Sequence, residues 1–205
     1  MSEKITITFP DKNSKEVQKG ISGLAIAEQI SKSLAKEAIA FSINDEINDL
    51  SRKVEKDSRI KILKRNDEEA LSIIRHDCAH VMAEAVQNLF PGTQVTIGPA
   101  IENGFYYDFA RDVPFTTEDL PKIEKKMHEI VSQGEQFIRE VWSREEAIKY
   151  FSKKGEKYKA ELISDLPDDE IISIYKQGNW LDLCRGPHMP STKHIGKAFK
   201  LMKVA

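Results

Sequence analysis

DEEALSIIRHDCAHVMAEAVQNLF (67–90) is the stretch around which the rest of the chain is organised. Leu71, Ile74, Cys78, Val81, Met82, Ala85, Val86 and Leu89 recur at three- and four-residue intervals, the period of an amphipathic helix. PGT (91–93) ends it. The helix follows a polar junction, RNDEE (65–69), and so divides the 205 residues into a short first part and a longer second one.

Upstream, KITITFP (4–10) alternates with period two, as a half-buried strand does. SKEVQKG (14–20) completes a hairpin with it. GLAIAEQISKSL (23–34) carries Ile26, Ile30 and Leu34 on one helical face, and AIAFSIN (38–44) and RIKILK (59–64) read as strands. The order strand–strand–helix–strand–strand predicts a small β-grasp (ubiquitin-like) domain over 1–64.

Downstream, GPAIENGFYYDF (98–109) reads as a glycine-bounded turn entering an aromatic strand. A helix is predicted over 116–134, opened by Thr and Asp and closed by Gly134. QFIREVW (136–142) is a strand, and Ser143 with Glu146 forms a capping box for a helix over 144–154. KYKAELI (157–163) reads as a strand, as does AFKLMKVA (198–205) at the end. Helices and strands are interspersed, so residues 65–205 are expected to form a larger α+β domain.

The net charge of −2 argues against a coat of basic residues for nucleic acid, but it is unevenly spread. Residues 1–65 carry net +3 and the remainder net −5; beyond Asp182 only cations occur, Arg185, Lys193, Lys197, Lys200 and Lys203. No apolar run approaches the roughly 20 residues of a membrane span. The start, MSEKITITF, has no signal-peptide core. Two distant cysteines do not make a disulfide scaffold, so a cytoplasmic protein is expected.

Chemistry concentrates in two pairs of equal spacing. His76 and His80, in RHDCAH (75–80), stand one turn apart on one face of the long helix. Cys184 and His188 are also four apart, in LCRGPHMP (183–190), where Gly186 and Pro187 call for a turn. Brought together, the four have the ligand types of a zinc site. They equally suit metal-free acid–base work, and a histidine pair on a helix is often structural.

RHDCAH (75–80), IGPAIENGFYYDF (97–109), GEKYK (155–159), LDLCRGPH (181–188) and FKLMK (199–203) together resemble the N-terminal half of bacterial threonyl-tRNA synthetases. Residues 1–64 are similar to that family's TGS domain and 65–205 to its editing domain, with the C-terminal catalytic core absent. The resemblance implies an enzyme that proofreads, hydrolysing the ester of mischarged Ser-tRNA(Thr) without ligating. The alternatives are a zinc-dependent aminoacyl-tRNA hydrolase and a noncatalytic tRNA-binding module.

By the same resemblance His76, His80, Lys159, Cys184 and His188 are the catalytic set. Tyr107, Asp182 and Arg185 line the place of the tRNA 3′ end, with Phe105, Tyr106 and Trp180 as further stacking candidates. Editing is implied to need no cofactor, with zinc on His76, His80, Cys184 and His188 the lesser alternative. ATP, magnesium and a core zinc belong to the missing part of the parent. The implied partner is tRNA(Thr), with no membrane, and the parent is a homodimer through regions beyond this chain.

Overall fold

The computed structural model describes residues 3–204. Residues up to Ile73, together with Gly186–Pro190, form one compact unit; Ile74–Arg185 and the residues from Ser191 form the other.

The first unit is a small mixed sheet crossed by helix. Its elements are β1 (Lys4–Thr8), β2 (Ser14–Gln18), β3 (Ile21–Ser22), α1 (Gly23–Ile30), α2 (Lys32–Glu37), β4 (Ala38–Ile43), β5 (Glu46–Asn48), β6 (Lys53–Val54) and β7 (Ser58–Lys64). Five strands lie in the order β2-β1-β7-β4-β5. β1 pairs antiparallel with β2 and parallel with β7, while β4 pairs antiparallel with both β7 and β5. Ile5 and Ile7 alternate inward along β1 and meet Ile26, Ala27, Phe41 and Ile60 in one core.

The single helix expected over 23–34 is two. The Ser31 N–H still donates to the Ala27 carbonyl at 3.0 Å, but its hydroxyl accepts from Leu34 N at 3.0 Å and starts α2. A serine that can cap competes with helix continuation. Gly23 at the start of α1 lies against the Phe41 ring, and an added Cβ would stand 2.5 Å from Phe41 Cδ1. Gly23→Ala is therefore expected to destabilise the first unit by about 1–3 kcal/mol, measured as a lower urea midpoint with an unchanged slope.

α3 (Ala70–Leu89) leads into the second unit. Burial does not follow the simple stripe: Leu71 and Leu89 are exposed, whereas every residue from Asp77 to Ala83 is buried. A helix buried all round at its middle shows only a weak one-sided pattern. Beyond it come β8 (Gln94–Val95), β9 (Ala100–Ile101), β10 (Gly104–Phe105), β11 (Phe109–Ala110) and α4 (Leu120–Gln133). Then follow β12 (Phe137–Val141), α5 (Arg144–Lys154), α6 (Lys157–Asp165), β13 (Ser173–Gln177), β14 (Trp180–Leu183) and a 3-10 turn at Thr192–Ile195.

The Ser143–Glu146 capping box forms, and Gly134 and Gly155 end α4 and α5 at φ 70° and 81°. The strand expected over 157–163 is instead the helix α6. Lys159, Ala160 and Ile163 are its buried face, a spacing of one and three rather than two. No strand forms over residues 198–204, and Ala205 lies outside the described residues. There the backbone is tied instead by side chains: Leu201 N donates to Glu124 at 2.8 Å and Phe199 stacks on His128.

β12, β13 and β14 make an antiparallel sheet in that order. One face, with Ile174, Leu181 and Leu183, packs against Ala147, Phe151, Ala160 and Ile163 of α5 and α6. The alternating residues Ser173, Tyr175, Gln177, Trp180 and Asp182 present the other face. Among the described residues no helix is long and apolar enough to cross a membrane.

Candidate metal and hydrolytic site

Helix periodicity places His76, His80, Glu84 and Gln87 along one ridge of α3. Each meets the sheet's second face. His80 stands edge-on to Trp180, with ring centroids 5.8 Å apart. Glu84 accepts from Gln177 Nε2 at 2.5 Å, and Gln87 Oε1 accepts from Trp180 Nε1 at 2.7 Å. At the open end of the ridge, His76 Nε2 lies 3.0 Å from Cys184 Sγ, and the His76 and His80 rings are 4.8 Å apart.

Cys184 is held just past β14. Its N–H donates to the Ser173 carbonyl at 3.0 Å, and its own carbonyl accepts from Ser173 Oγ at 2.5 Å. His188 follows four residues later, buried, with its backbone N–H donating to Asp49 Oδ1 at 2.6 Å. One ligand atom from each of His76, His80, Cys184 and His188 lies within 4.8 Å of every other.

A second group is assembled from Lys159, Asp182 and Tyr107, all buried. Lys159 Nζ is 2.7 Å from Asp182 Oδ1, donates to the Thr96 carbonyl at 2.6 Å and reaches the Tyr107 hydroxyl at 3.5 Å. Tyr107 in turn donates to Asp182 Oδ2 at 2.5 Å, and Leu183 N donates to Oδ1 at 2.8 Å. An ammonium has three donors and no acceptor, so all three donors of Lys159 are engaged. Burial, and then the Asp182 carboxylate beside it, holds the Tyr107 phenol well above its ordinary range and so keeps it an O–H donor. Gly98 is the close approach that admits this ring, for a Cβ there would stand 2.1 Å from Tyr107 Cδ2.

Arg185 is not drawn into either group; it is exposed and paired with Glu170 at 3.0 Å. Tyr106 is exposed, Phe105 is partly buried, and Trp180 serves the α3 ridge. Glu84, Gln87, Gln177 and Glu156 form a polar network that sequence reading missed. Its signal was present as polar residues at 76, 80, 84 and 87, a helical spacing opposite the apolar one.

Residues 5–64 match the family described as the TGS domain, and residues 172–205 match the "Threonyl and Alanyl tRNA synthetase second additional domain". Over all 205 residues the chain is 60% identical to a threonine–tRNA ligase of Chelativorans sp. and 60% identical to that of Bartonella bacilliformis. The same full span is 58% identical to the threonine–tRNA ligase of Rhizobium rhizogenes. The chain thus matches threonine–tRNA ligases along its whole length and carries both the TGS and the second additional domain matches. It spans 31% of the length of each of these relatives.

The expectation of a site that needs no metal, with zinc the lesser alternative, is corrected by the geometry. Three imidazoles and a thiol converge within 4.8 Å, and a tetrahedral zinc with ligands at about 2.0–2.3 Å sets its donors about 3.3–3.8 Å apart. The donor set fits zinc, and its widest pair would close by about 1 Å to reach that spacing.

The network beneath the histidines carries a pH signature. Burial raises the Glu84 carboxyl above 4.5, offset in part by Gln177, and burial likewise raises Glu156, offset by Val95 N and Gln87. In each case the folded state holds its proton more tightly than the unfolded state. Stability therefore falls as pH rises from the ordinary carboxylate range through the raised values, and then levels. Urea titrations of the second unit across that window are expected to show this decline, and Glu84→Gln to flatten it.

Proposed function

We propose that this chain is a zinc-dependent aminoacyl-tRNA hydrolase that clears serine mischarged on tRNA(Thr). The observation that carries the reading is the convergence of His76, His80, Cys184 and His188 in a chain that matches threonine–tRNA ligases along its whole length. These four residues would hold the metal. Bound zinc supplies Lewis-acid polarisation of an ester carbonyl and activation of water.

The chain's own groups supply the rest. Lys159 and Asp182 fix Tyr107, whose hydroxyl and ring form a rigid wall for the 3′-terminal nucleoside. Serine lacks one methyl of threonine, a difference worth only about 1–3 kcal/mol to a synthetic site. A separate hydrolytic cleft need only exclude the larger amino acid. The strand order of the first unit, with its parallel central pair, supports a β-grasp reading of the TGS domain.

The test is deacylation of Ser-tRNA(Thr) against Thr-tRNA(Thr) by the 205-residue chain, with zinc content measured in parallel. Loss of serine alone, suppressed by a chelator and restored by zinc, is expected. Serine release that persists in metal-free protein would rule out the zinc requirement, and equal release of both amino acids would rule out proofreading.

A further inference from the structure

Outside the histidine–cysteine cluster, a cleft of the second unit with a volume of about 340 Å³ lies between Trp142 and α5. Trp142 and Tyr150 meet there nearly edge to face, with centroids 5.2 Å apart and ring planes at 77°. The indole is oriented by its N–H, which donates to Glu140 Oε2 at 2.8 Å. Lys149 and Lys153, one turn apart, complete the rim. The nearby carboxylates are committed elsewhere: Glu140 takes Lys176 at 2.5 Å, and Glu146 caps α5 by accepting from Ser143. Among the described residues no carboxylate lies in ion-pair range of Lys149, Lys153 or Lys154. The corner therefore offers two aromatic faces beside two exposed lysines, with Glu146 the one carboxylate of the lining.

A short chain of aromatic residues leads from this cleft toward the candidate site. Tyr150 lines a second, narrower cleft with Trp180, and Trp180 abuts His80. Lys154 stands on this same line, 5.7 Å above the Tyr150 ring. Aromatic faces interleaved with lysines are how proteins hold single-stranded nucleic acid, since every base has a face to stack and every nucleotide a phosphate.

We propose that the Trp142–Tyr150 corner binds unpaired nucleotides of the RNA whose 3′ end enters the histidine–cysteine cluster. A base stacks on Trp142 or Tyr150, and adjacent phosphates meet Lys149 and Lys153. This rests on the proposed hydrolysis only in naming the RNA, because the stacking site is separate from the ester-cleaving residues.

The test uses uncharged threonine tRNA transcript and the 205-residue chain, with Kd read by fluorescence anisotropy over a salt series. Lys149→Glu/Lys153→Glu changes only exposed side chains; it is expected to raise Kd about tenfold. It should also shallow the slope of log K against log salt by about 1.4, the equivalent of two single-strand phosphates. Trp142→Ala is expected to weaken binding about tenfold, with Trp142→Tyr restoring it. Transcript trimmed of its unpaired 3′ nucleotides should bind wild type and variants alike. Unchanged Kd and slope in the double variant, no measurable binding by wild type, or a trimmed transcript that still separates the variants would each overturn the assignment. If the variants weaken binding as expected while Ser-tRNA(Thr) is not hydrolysed, the stacking site stands and the hydrolase reading falls.

Discussion

Lys159→Met is expected to lower the stability of the second unit by about 3–5 kcal/mol, the usual cost of removing one partner from a buried ion pair. The ammonium and the Asp182 carboxylate are 2.7 Å apart with side chains only 3% and 2% exposed. Removing Lys159 leaves a carboxylate in apolar surroundings with only Tyr107 and Leu183 N to satisfy it. It also strands the Thr96 carbonyl, which accepts from Lys159 at 2.6 Å. Adding Asp182→Asn should recover part of the loss, because the amide needs no counter-ion. Urea unfolding of both single variants and the double variant measures the coupling. A loss under about 1 kcal/mol in Lys159→Met would mean that the pair is hydrated in solution. Activity adds a second reading. A purely structural lysine lets residual folded Lys159→Met hydrolyse at the wild-type rate per folded molecule, whereas a lysine acting on the ester does not.

How much of this was legible depends on whether a residue's role is local. The Ser143–Glu146 capping box and the Gly134 stop form as read, because caps are decided within a few residues. The same holds for the alternation of KITIT. α6 was misread because KYKAELI alternates polar and apolar at its start while its true buried set, 159, 160 and 163, is set by the sheet beneath. The two x3-spaced pairs picked out the four residues that cluster, yet their meeting spans 108 residues between His76 and Cys184, a distance no spacing rule covers. The preference for a site without metal failed on that point, since the convergence of four donor atoms is a tertiary fact. The Glu84–Gln177 and Gln87–Trp180 bonds were equally hidden, being side-chain contacts between α3 and a sheet 93 residues away.

Zinc supplied at about a thousand times its Kd is expected to stabilise the chain by about 4.1 kcal/mol, by mass action alone. The four residues already stand within 4.8 Å, so little ordering opposes binding. Trp180 touches His80 at 5.8 Å and reports on the cluster, so its fluorescence follows the transition concerned. Altering a group outside a metal's direct ligands typically costs about 10–100-fold in affinity. Cys184→Ala removes the only sulfur ligand and is expected to cost more than that, abolishing the zinc-dependent gain while leaving metal-free stability near wild type. His76→Ala should do the same, for its Nε2 contacts that sulfur at 3.0 Å. Glu84→Gln, one turn below His80 and outside the ligand set, should retain stoichiometric zinc. Equal zinc-dependent stabilisation in wild type and Cys184→Ala would place the metal elsewhere. No gain in either would return the four residues to acid–base and packing roles, because a site able to hold zinc must change stability when zinc fills it.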